Sequence, residues 1–265
     1  MSIITISRGS FSQGKDVAEK LAANLNYECI SRDILLEASE EFNVPEIKLT
    51  RAIHDAPSIL RRLTIAKDSY IAYVRSALLR HVRKDNVVYH GLAGHFFLQN
   101  IPHVLKVRII VAFEGRVKEE INREHISAEE ACKLIMKDDE ERRRWGLSLY
   151  GKDTLDASLY DMVLNIQNMT VGDAVNVISS TIKLPRFQTT PASQKKIDDL
   201  ALAAYVQAIL IEEMGLAEVE ANDGMISVRL SAPTFMQREM ALRIDKAVSK
   251  IAEVKKAVVT VSPPK

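Results

Sequence analysis

Short apolar runs alternate with segments of helical periodicity along the first 182 residues. The opening run, Ile3 to Ile6, predicts a buried strand, and apolar residues then recur every three or four positions from Val17 to Leu25, which predicts a helix. Further strands are predicted at 27–30, 86–90, 104–113 and 161–166, and further helices at 34–42, 45–53, 58–84, 114–124, 127–146 and 170–182. Strands and helices that alternate in this way indicate an α/β fold with a mostly parallel sheet flanked by helices.

The pattern changes after residue 184. Two prolines and several small polar residues predict a linker at 185–194, between a larger domain at 1–184 and a smaller one at 195–265. The pattern of the smaller domain predicts a helix, two strands joined by the turn Asn222-Asp223-Gly224, a second helix and a final strand. We therefore expect a small α+β domain in the order α-β-β-α-β. It carries neither a nucleophile–base pair nor a metal cluster, which favours a binding or assembly role.

Composition excludes several classes of protein. A length of 265 residues suits about two domains. The 36 basic and 35 acidic residues nearly cancel, so we expect no nucleic-acid partner and no general role at a membrane surface. The sequence predicts neither a transmembrane segment nor a signal peptide. Cys29 and Cys132 stand far apart and outside any CxxC motif, as is typical of reduced thiols in a cytoplasmic protein.

The loop between the first strand and the first helix has the spacing of a phosphate-binding loop. Gly9 and Gly14-Lys15 stand as in the pattern G-x-x-x-x-G-K-[ST]. Such a loop wraps an anion with backbone N–H groups, and the helix after it points its positive end at the phosphate. The phosphate-binding candidates are Gly9, Ser10, Ser12, Gln13, Gly14, Lys15 and Asp16. The alternative is a glycine-containing turn that binds nothing.

Asp16 departs from this pattern. It stands where a Ser or Thr hydroxyl would hold Mg²⁺, and a carboxylate there would also repel the phosphates. Ser10 or Ser12 could supply the hydroxyl instead. The sequence therefore leaves the metal ligands unassigned.

Two later turns also follow predicted strands, where open α/β sheets bind ligands. Arg32 and Asp33 lie at the first of these turns; the structural alternative is a helix cap with a surface arginine. Gly91 lies at the second, where a glycine permits close approach of a ligand. Histidines flank that glycine turn, at 90 and 95, and we take a structural role as their default.

Arginines occur in two helices. Arg142 and Arg143 follow an acidic run and precede Trp145, the single tryptophan. This stretch is either a solvated helix end or a lid whose arginines close over transferring phosphates, since phosphoryl transfer depends mostly on positioning and charge neutralisation. The predicted helix 58–84 carries further arginines, on a solvated face or in contact with an acceptor phosphate: Arg61, Arg62, Arg75, Arg80 and Arg83.

Taken together, residues 3–182 resemble the cytidylate-kinase-like family, a branch of the P-loop nucleoside monophosphate kinases. The matching segments are 4–8 with the glycine loop, 31–33, 87–91, 139–142 and 160–165. Residues 195–262 resemble a BON domain, a small module associated with binding phospholipids or other hydrophobic ligands and partners. The glycine expected after its second strand is replaced by Ser231-Ala232.

The resemblance implies a P-loop kinase fold and ATP with Mg²⁺ as the phosphoryl donor. It implies that Gly9, Gly14 and Lys15 hold the ATP phosphates, and it places Arg32-Asp33 toward the nucleotide acceptor and Arg142 in the lid. Related kinases have an acidic residue, an arginine and an aspartate around the Gly91 turn; this chain has instead His90, Leu92 and Ala93.

Two functions follow from this reading, and a purely structural scaffold is a third. One is phosphoryl transfer to a nucleoside monophosphate, with CMP as one candidate, or to a related small acceptor. The other is a nucleotide sensor with little or no activity, whose C-terminal domain reports to a lipid or protein partner.

Overall fold

The computed structural model describes residues 1–9, 13–54, 64–91 and 93–263. The chain divides into two compact units, each made of several stretches of sequence. Unit 1 consists of 1–33, 50–58 and 84–190, and unit 2 of 34–49, 59–83 and 191–265. The sequence predicts domain boundaries at 184 and 195. These boundaries describe domains that fold separately, which is a different division from the two compact units, and they stay a prediction.

Unit 1 contains a parallel sheet. Its described strands are β1 (Ile3–Arg8), β2 (Glu28–Ile30), β3 (Val87–His90), β4 (Val104–Ile110) and β5 (Met162–Asn165). They lie in the order β2-β3-β1-β4-β5. All pairings are parallel, with Ile6 opposite His90 on one side of β1 and opposite Val107 on the other. The carboxyl ends of the strands therefore share one edge, and β1 is the central strand. The predicted parallel sheet is confirmed.

Helices cover this sheet. They are α1 (Gly14–Leu25), α5 (Gly94–Phe97), α6 (Phe113–Glu124), α7 (Ala128–Tyr150) and α8 (Val171–Thr181). Apolar residues of α1 and α8 form one core with the central strands, including Ile4, Val17 and Ile178. The predicted strand 104–113 was too long, because β4 ends at Ile110 and Phe113 already begins α6.

Unit 2 combines helices from the first half of the chain with the C-terminal region. The elements that contribute to it are α2 (Asp33–Glu41), α3 (Glu46–His54), α4 (Thr64–Val82), α9 (Pro191–Met214), β6 (Glu218–Asn222), β7 (Met225–Ser231), α10 (Gln237–Val248) and β8 (Lys256–Ser262). The strands form a second sheet in which β6 is antiparallel and β8 parallel to β7. The predicted order α-β-β-α-β is confirmed, and α9 begins at Pro191, within the predicted linker.

The helices α4 and α9 are unusual because they are buried on nearly all sides. The sequence predicts one apolar stripe for α4, but residues 71–74 and 76–79 are all buried. A helix that is apolar all round needs cover on more than one face. Here α4 and α9 pack along each other. Among the described helices, none is long and apolar enough to cross a bilayer.

Candidate functional site

A glycine stands on each side of the loop after β1, and Gly14 is the more closely packed of the two. A Cβ atom on Gly14 would lie 2.8 Å from the Cβ and Cδ atoms of Arg8, and one on Gly9 would lie 3.5 Å from the guanidinium carbon of Arg116. Gln13 precedes α1 in the left-handed region, and its side chain does not cap the helix. The first amides of α1 are therefore suited to an anion. Ser10 and Ser12 lie outside the described residues.

Three arginines lie next to the residues that flank this loop: Arg8, Arg116 and Arg142. Arg142 of α7 donates a hydrogen bond from Nη1 to the carbonyl oxygen of Arg8, over 2.7 Å. Arg116 of α6 donates from Nη2 to both carboxylate oxygens of Asp139, at 2.9 and 2.8 Å. Burial lowers the pKa of Arg8 and of Arg142, and neighbouring guanidinium groups lower each further. Burial and like charge thus outweigh the nearby carboxylates, and a bound phosphate would favour the charged form of both groups.

Lys15 and Asp16 lie in the first turn of α1 and are exposed. The ammonium group of Lys15 is 3.6 Å from a carboxylate oxygen of Glu19, one helical turn later. An exposed pair of this kind contributes little stability, so the ammonium group is available to a ligand at small cost. The carboxylate of Asp16 stands near the positive end of the helix dipole, which gives it a structural role as well.

The arginines of α7 point in different directions, as successive residues on a helix must. Arg142 reaches the loop. Arg143 instead pairs with Asp153 at 2.7 Å and is about half exposed, while Arg144 pairs with Glu140 at 2.7 Å. Of the two arginines predicted to lie in the lid, Arg142 contacts the end of β1, directly before the candidate loop, whereas Arg143 pairs with Asp153.

The tryptophan of α7 anchors this helix. The side chain of Trp145 is 3% exposed, and its Nε1 donates to the carbonyl oxygen of Ala52 over 3.3 Å. Its ring lies 6.1 Å from that of Phe96 and 5.6 Å from that of Tyr150. The alternative of a solvated helix end therefore does not hold for Trp145, which is part of the core.

The two predicted acceptor turns lie at the carboxyl ends of neighbouring strands. Asp33 begins α2, and its carboxylate accepts a hydrogen bond from the N–H of Ser31 over 3.2 Å. Arg32 is exposed beside it. Gly91 follows β3, where a Cβ atom would lie 2.4 Å from the hydroxyl oxygen of Tyr89. The glycine thus has a packing reason besides any contact with a ligand. Leu92 lies outside the described residues.

Sequence reasoning missed a buried polar cluster beneath this edge. The Tyr160 hydroxyl lies 3.1 Å from Nη1 of Arg108, 3.3 Å from the Ser7 hydroxyl and 3.4 Å from Nε2 of His95, and it donates to the carbonyl oxygen of Thr154. Burial, followed by the charge of Arg108, lowers the pKa of His95 to about 3, so this imidazole is neutral. The sequence held one signal of this cluster: Arg108 lies within the mostly apolar run of β4.

His90, at the end of β3, is also buried. Burial is the main cause that lowers its pKa, and Arg8 adds to the effect. The lowered pKa favours the neutral form of this side chain. In the described ranges no group of three or more His, Cys, Asp or Glu side chains is placed to hold a metal ion.

Known proteins resemble the larger part of this chain in sequence. Residues 3–168 match the family model described as the cytidylate kinase-like family. A cytidylate kinase of Sulfolobus acidocaldarius is 25% identical over 180 residues, which cover 68% of this chain and 93% of the relative. One from Thermococcus kodakarensis is 35% identical over 83 residues, covering 31% of this chain and 42% of the relative.

A solved structure supports the fold. An uncharacterized protein of Eubacterium ventriosum aligns with a TM-score of 0.54 and 20% identity, over 69% of this chain and 99% of its own. The family model spans well over half of the sequence. The chain therefore belongs to the cytidylate kinase-like family.

Proposed function

We propose that this protein transfers the γ-phosphoryl group of ATP to the phosphate of a nucleoside monophosphate, with CMP as the first acceptor to test. The observation that supports the proposal is the hydrogen bond from Arg142 to the carbonyl oxygen of Arg8, which holds a helix arginine at the end of β1, directly before the proposed phosphate loop. Membership of the cytidylate kinase-like family supports it.

On the donor side, the amides at the start of α1 and the ammonium group of Lys15 bind the ATP phosphates. Mg²⁺ usually keeps several waters and needs only one or two carboxylates besides the phosphates. Its arrival with ATP is thus compatible with the described residues, among which Asp16 is the carboxylate in the first turn of α1. When bound, the ion neutralises charge on the phosphate oxygens.

In the transfer step, an oxygen of the acceptor phosphate forms a bond to the γ-phosphorus. The bond from that phosphorus to the β–γ bridging oxygen breaks, and ADP leaves with the electron pair. The acceptor is already an anion, so no general base is required. Arg142 and Arg8 stabilise the charge on the equatorial oxygens. Arg32, Asp33 and Gly91 face the acceptor.

Incubation of the full chain with ATP, Mg²⁺ and a panel of nucleoside monophosphates tests the proposal. We expect ADP and a nucleoside diphosphate in equal amounts, with CMP among the substrates. If ADP appears without a diphosphate, or no acceptor reacts, nucleoside monophosphate kinase activity is rejected.

The second candidate is a nucleotide sensor, and the Gly91 turn favours it, because His90, Leu92 and Ala93 stand where related kinases have an acidic residue, an arginine and an aspartate. In that case ATP binds without turnover, and residues 195–265 report the bound state to a lipid or protein partner. Calorimetry separates the candidates, because saturable ATP binding in the absence of any product supports the sensor alone.

A further inference from the structure

Unit 2 joins two regions that are far apart in sequence. The helices α2 and α4 lie between β2 and β3, whereas α9 begins more than a hundred residues after α4 ends. Both regions nevertheless belong to one compact unit. The pair α4 and α9 forms the most extensive contact between two elements in the described part of the chain.

Polar contacts fix α4 against α9 along much of their length. The Tyr73 hydroxyl donates to Glu212 over 2.6 Å, and Nη1 of Arg75 donates to Gln207 over 3.0 Å. Further along α4, the guanidinium group of Arg80 lies over the Tyr205 ring, 4.5 Å from its centre. Positions rise on α4 while they fall on α9, so the helices run antiparallel.

Arg75 and Arg80 of α4 therefore contact side chains of α9 within unit 2. Arg83, just after the helix, pairs with Asp198 at 3.2 Å and with Glu253 at 2.8 Å. Neither a solvated face nor a phosphate contact is needed to explain these charges. Arg61 and Arg62 lie outside the described residues.

The same helix holds α2. The ring of Phe42, directly after α2, stacks on that of Tyr73 with centroids 4.2 Å apart. His81 Nδ1 lies 2.7 Å from a carboxylate oxygen of Glu37, and Arg80 pairs with Glu41. Contacts thus lead from α9 through α4 to α2, the helix that begins at Asp33.

We propose that α9 positions the acceptor side of the kinase: by fixing α4, and through it α2, it sets the place of the Arg32-Asp33 turn. Glu212 and Tyr73 act as positioning residues in this chain of contacts. The assignment of that turn to the acceptor rests on the proposed function, but the mechanical link does not. It gives the C-terminal region a role in binding the nucleoside monophosphate.

The test uses Glu212→Gln in the full chain, with Tyr73→Phe as its reciprocal. The matched control is Glu213→Gln, the same chemical change one residue later, because Glu213 pairs with Arg243 of α10 at 2.6 Å. In hydrogen exchange, both test variants should speed exchange about tenfold in peptides covering 31–41 and 68–83, since each loses a bond to a charged group. Peptides covering β1 and β4 should not change, and Glu213→Gln should leave 31–41 at the wild-type rate.

Kinetics with CMP and ATP supply the second measurement. Glu212→Gln should raise the KM for CMP about tenfold and leave the KM for ATP within twofold of wild type. A wild-type exchange rate at 31–41 in both test variants overturns the proposal, as does an equal rise of both KM values. If the wild-type chain forms no diphosphate, the proposed function fails alone, and the exchange experiment still decides whether α9 holds the turn.

Discussion

The guanidinium group of Arg142 donates a hydrogen bond to the carbonyl oxygen of Arg8 over 2.7 Å, which ties α7 to the end of the central strand. The two residues are 134 positions apart. A ligand that displaces this carbonyl from Arg142 would find a partly buried, preformed cation at the end of β1. The arrangement suits charge that develops during phosphoryl transfer, because fixed donors need no reorganisation at the moment of reaction.

Replacement of this guanidinium should affect catalysis more than binding. We expect Arg142→Lys to lower kcat by about 10³, since a point charge cannot reproduce the planar fork and an arginine in this role contributes on the order of 10³–10⁵. The dissociation constant for ATP should change less than tenfold. Arg144→Lys is the control, because Arg144 pairs with Glu140 on the surface of the same helix. An equal loss of kcat in the two variants would argue against the assigned role of Arg142.

Lys15→Ala should weaken ATP binding at least tenfold without loss of stability. The ammonium group makes only an exposed pair with Glu19, worth about 0–1 kcal/mol. Calorimetric titration with ATP and thermal unfolding without nucleotide measure the two effects. Lys20→Ala, an exposed lysine on the same helix, should bind ATP as wild type does. Unchanged affinity in Lys15→Ala would reject the phosphate-loop assignment.

Gly14→Ala should also abolish tight ATP binding, for a steric reason. The new methyl group would lie 2.8 Å from Arg8, so that side chain and the loop must shift. Gly172→Ala provides the comparison: it is near the start of α8, and its methyl group would meet only the Thr170 hydroxyl, at 3.6 Å. Fluorescent-nucleotide titration should separate the two variants. Wild-type affinity in Gly14→Ala would show that the loop does not bind phosphate through this packing.

Acid should destabilise the protein through its buried histidines. His95 stays neutral in the folded state because its pKa is lowered to about 3, whereas an unfolded histidine titrates near 6.5. Between these values the unfolded chain binds more protons, so the free energy of unfolding falls as the pH falls. At pH 5 one such histidine contributes a loss of about 2 kcal/mol relative to pH 7.

Urea unfolding of His95→Gln at pH 7 and pH 5 measures this effect. The amide does not titrate, so the variant should lose about 2 kcal/mol less than wild type on acidification. His125→Asn is the control, since His125 is exposed and holds a left-handed conformation after α6 that asparagine tolerates. The same acid sensitivity in His95→Gln and wild type would contradict a neutral, buried His95.

Local patterns in the sequence determined most of the secondary structure and the residues on each side of the candidate phosphate loop. The alternation of apolar runs and helical periods predicted the parallel sheet. Helices between parallel strands cover both faces of such a sheet, so its strands are apolar nearly throughout. The spacing of Gly9 and Gly14-Lys15 predicted the loop. The helices predicted at 127–146 and 170–182 are confirmed, and each begins with a capping box, at Ser127 and at Thr170. Each of these signals lies within a few residues, where geometry is fixed by the chain itself.

Only the tertiary structure decided which side chains meet across long stretches of sequence. The periodicity of α7 could not tell that Arg142 rather than Arg143 reaches the loop, and nothing in β4 indicated that Arg108 would meet Tyr160. Nor did the arginines of α4 indicate their partners on α9, because a helix records which of its faces are apolar but not what covers them. Those choices depend on how separate elements pack, and packing involves residues that no local pattern connects.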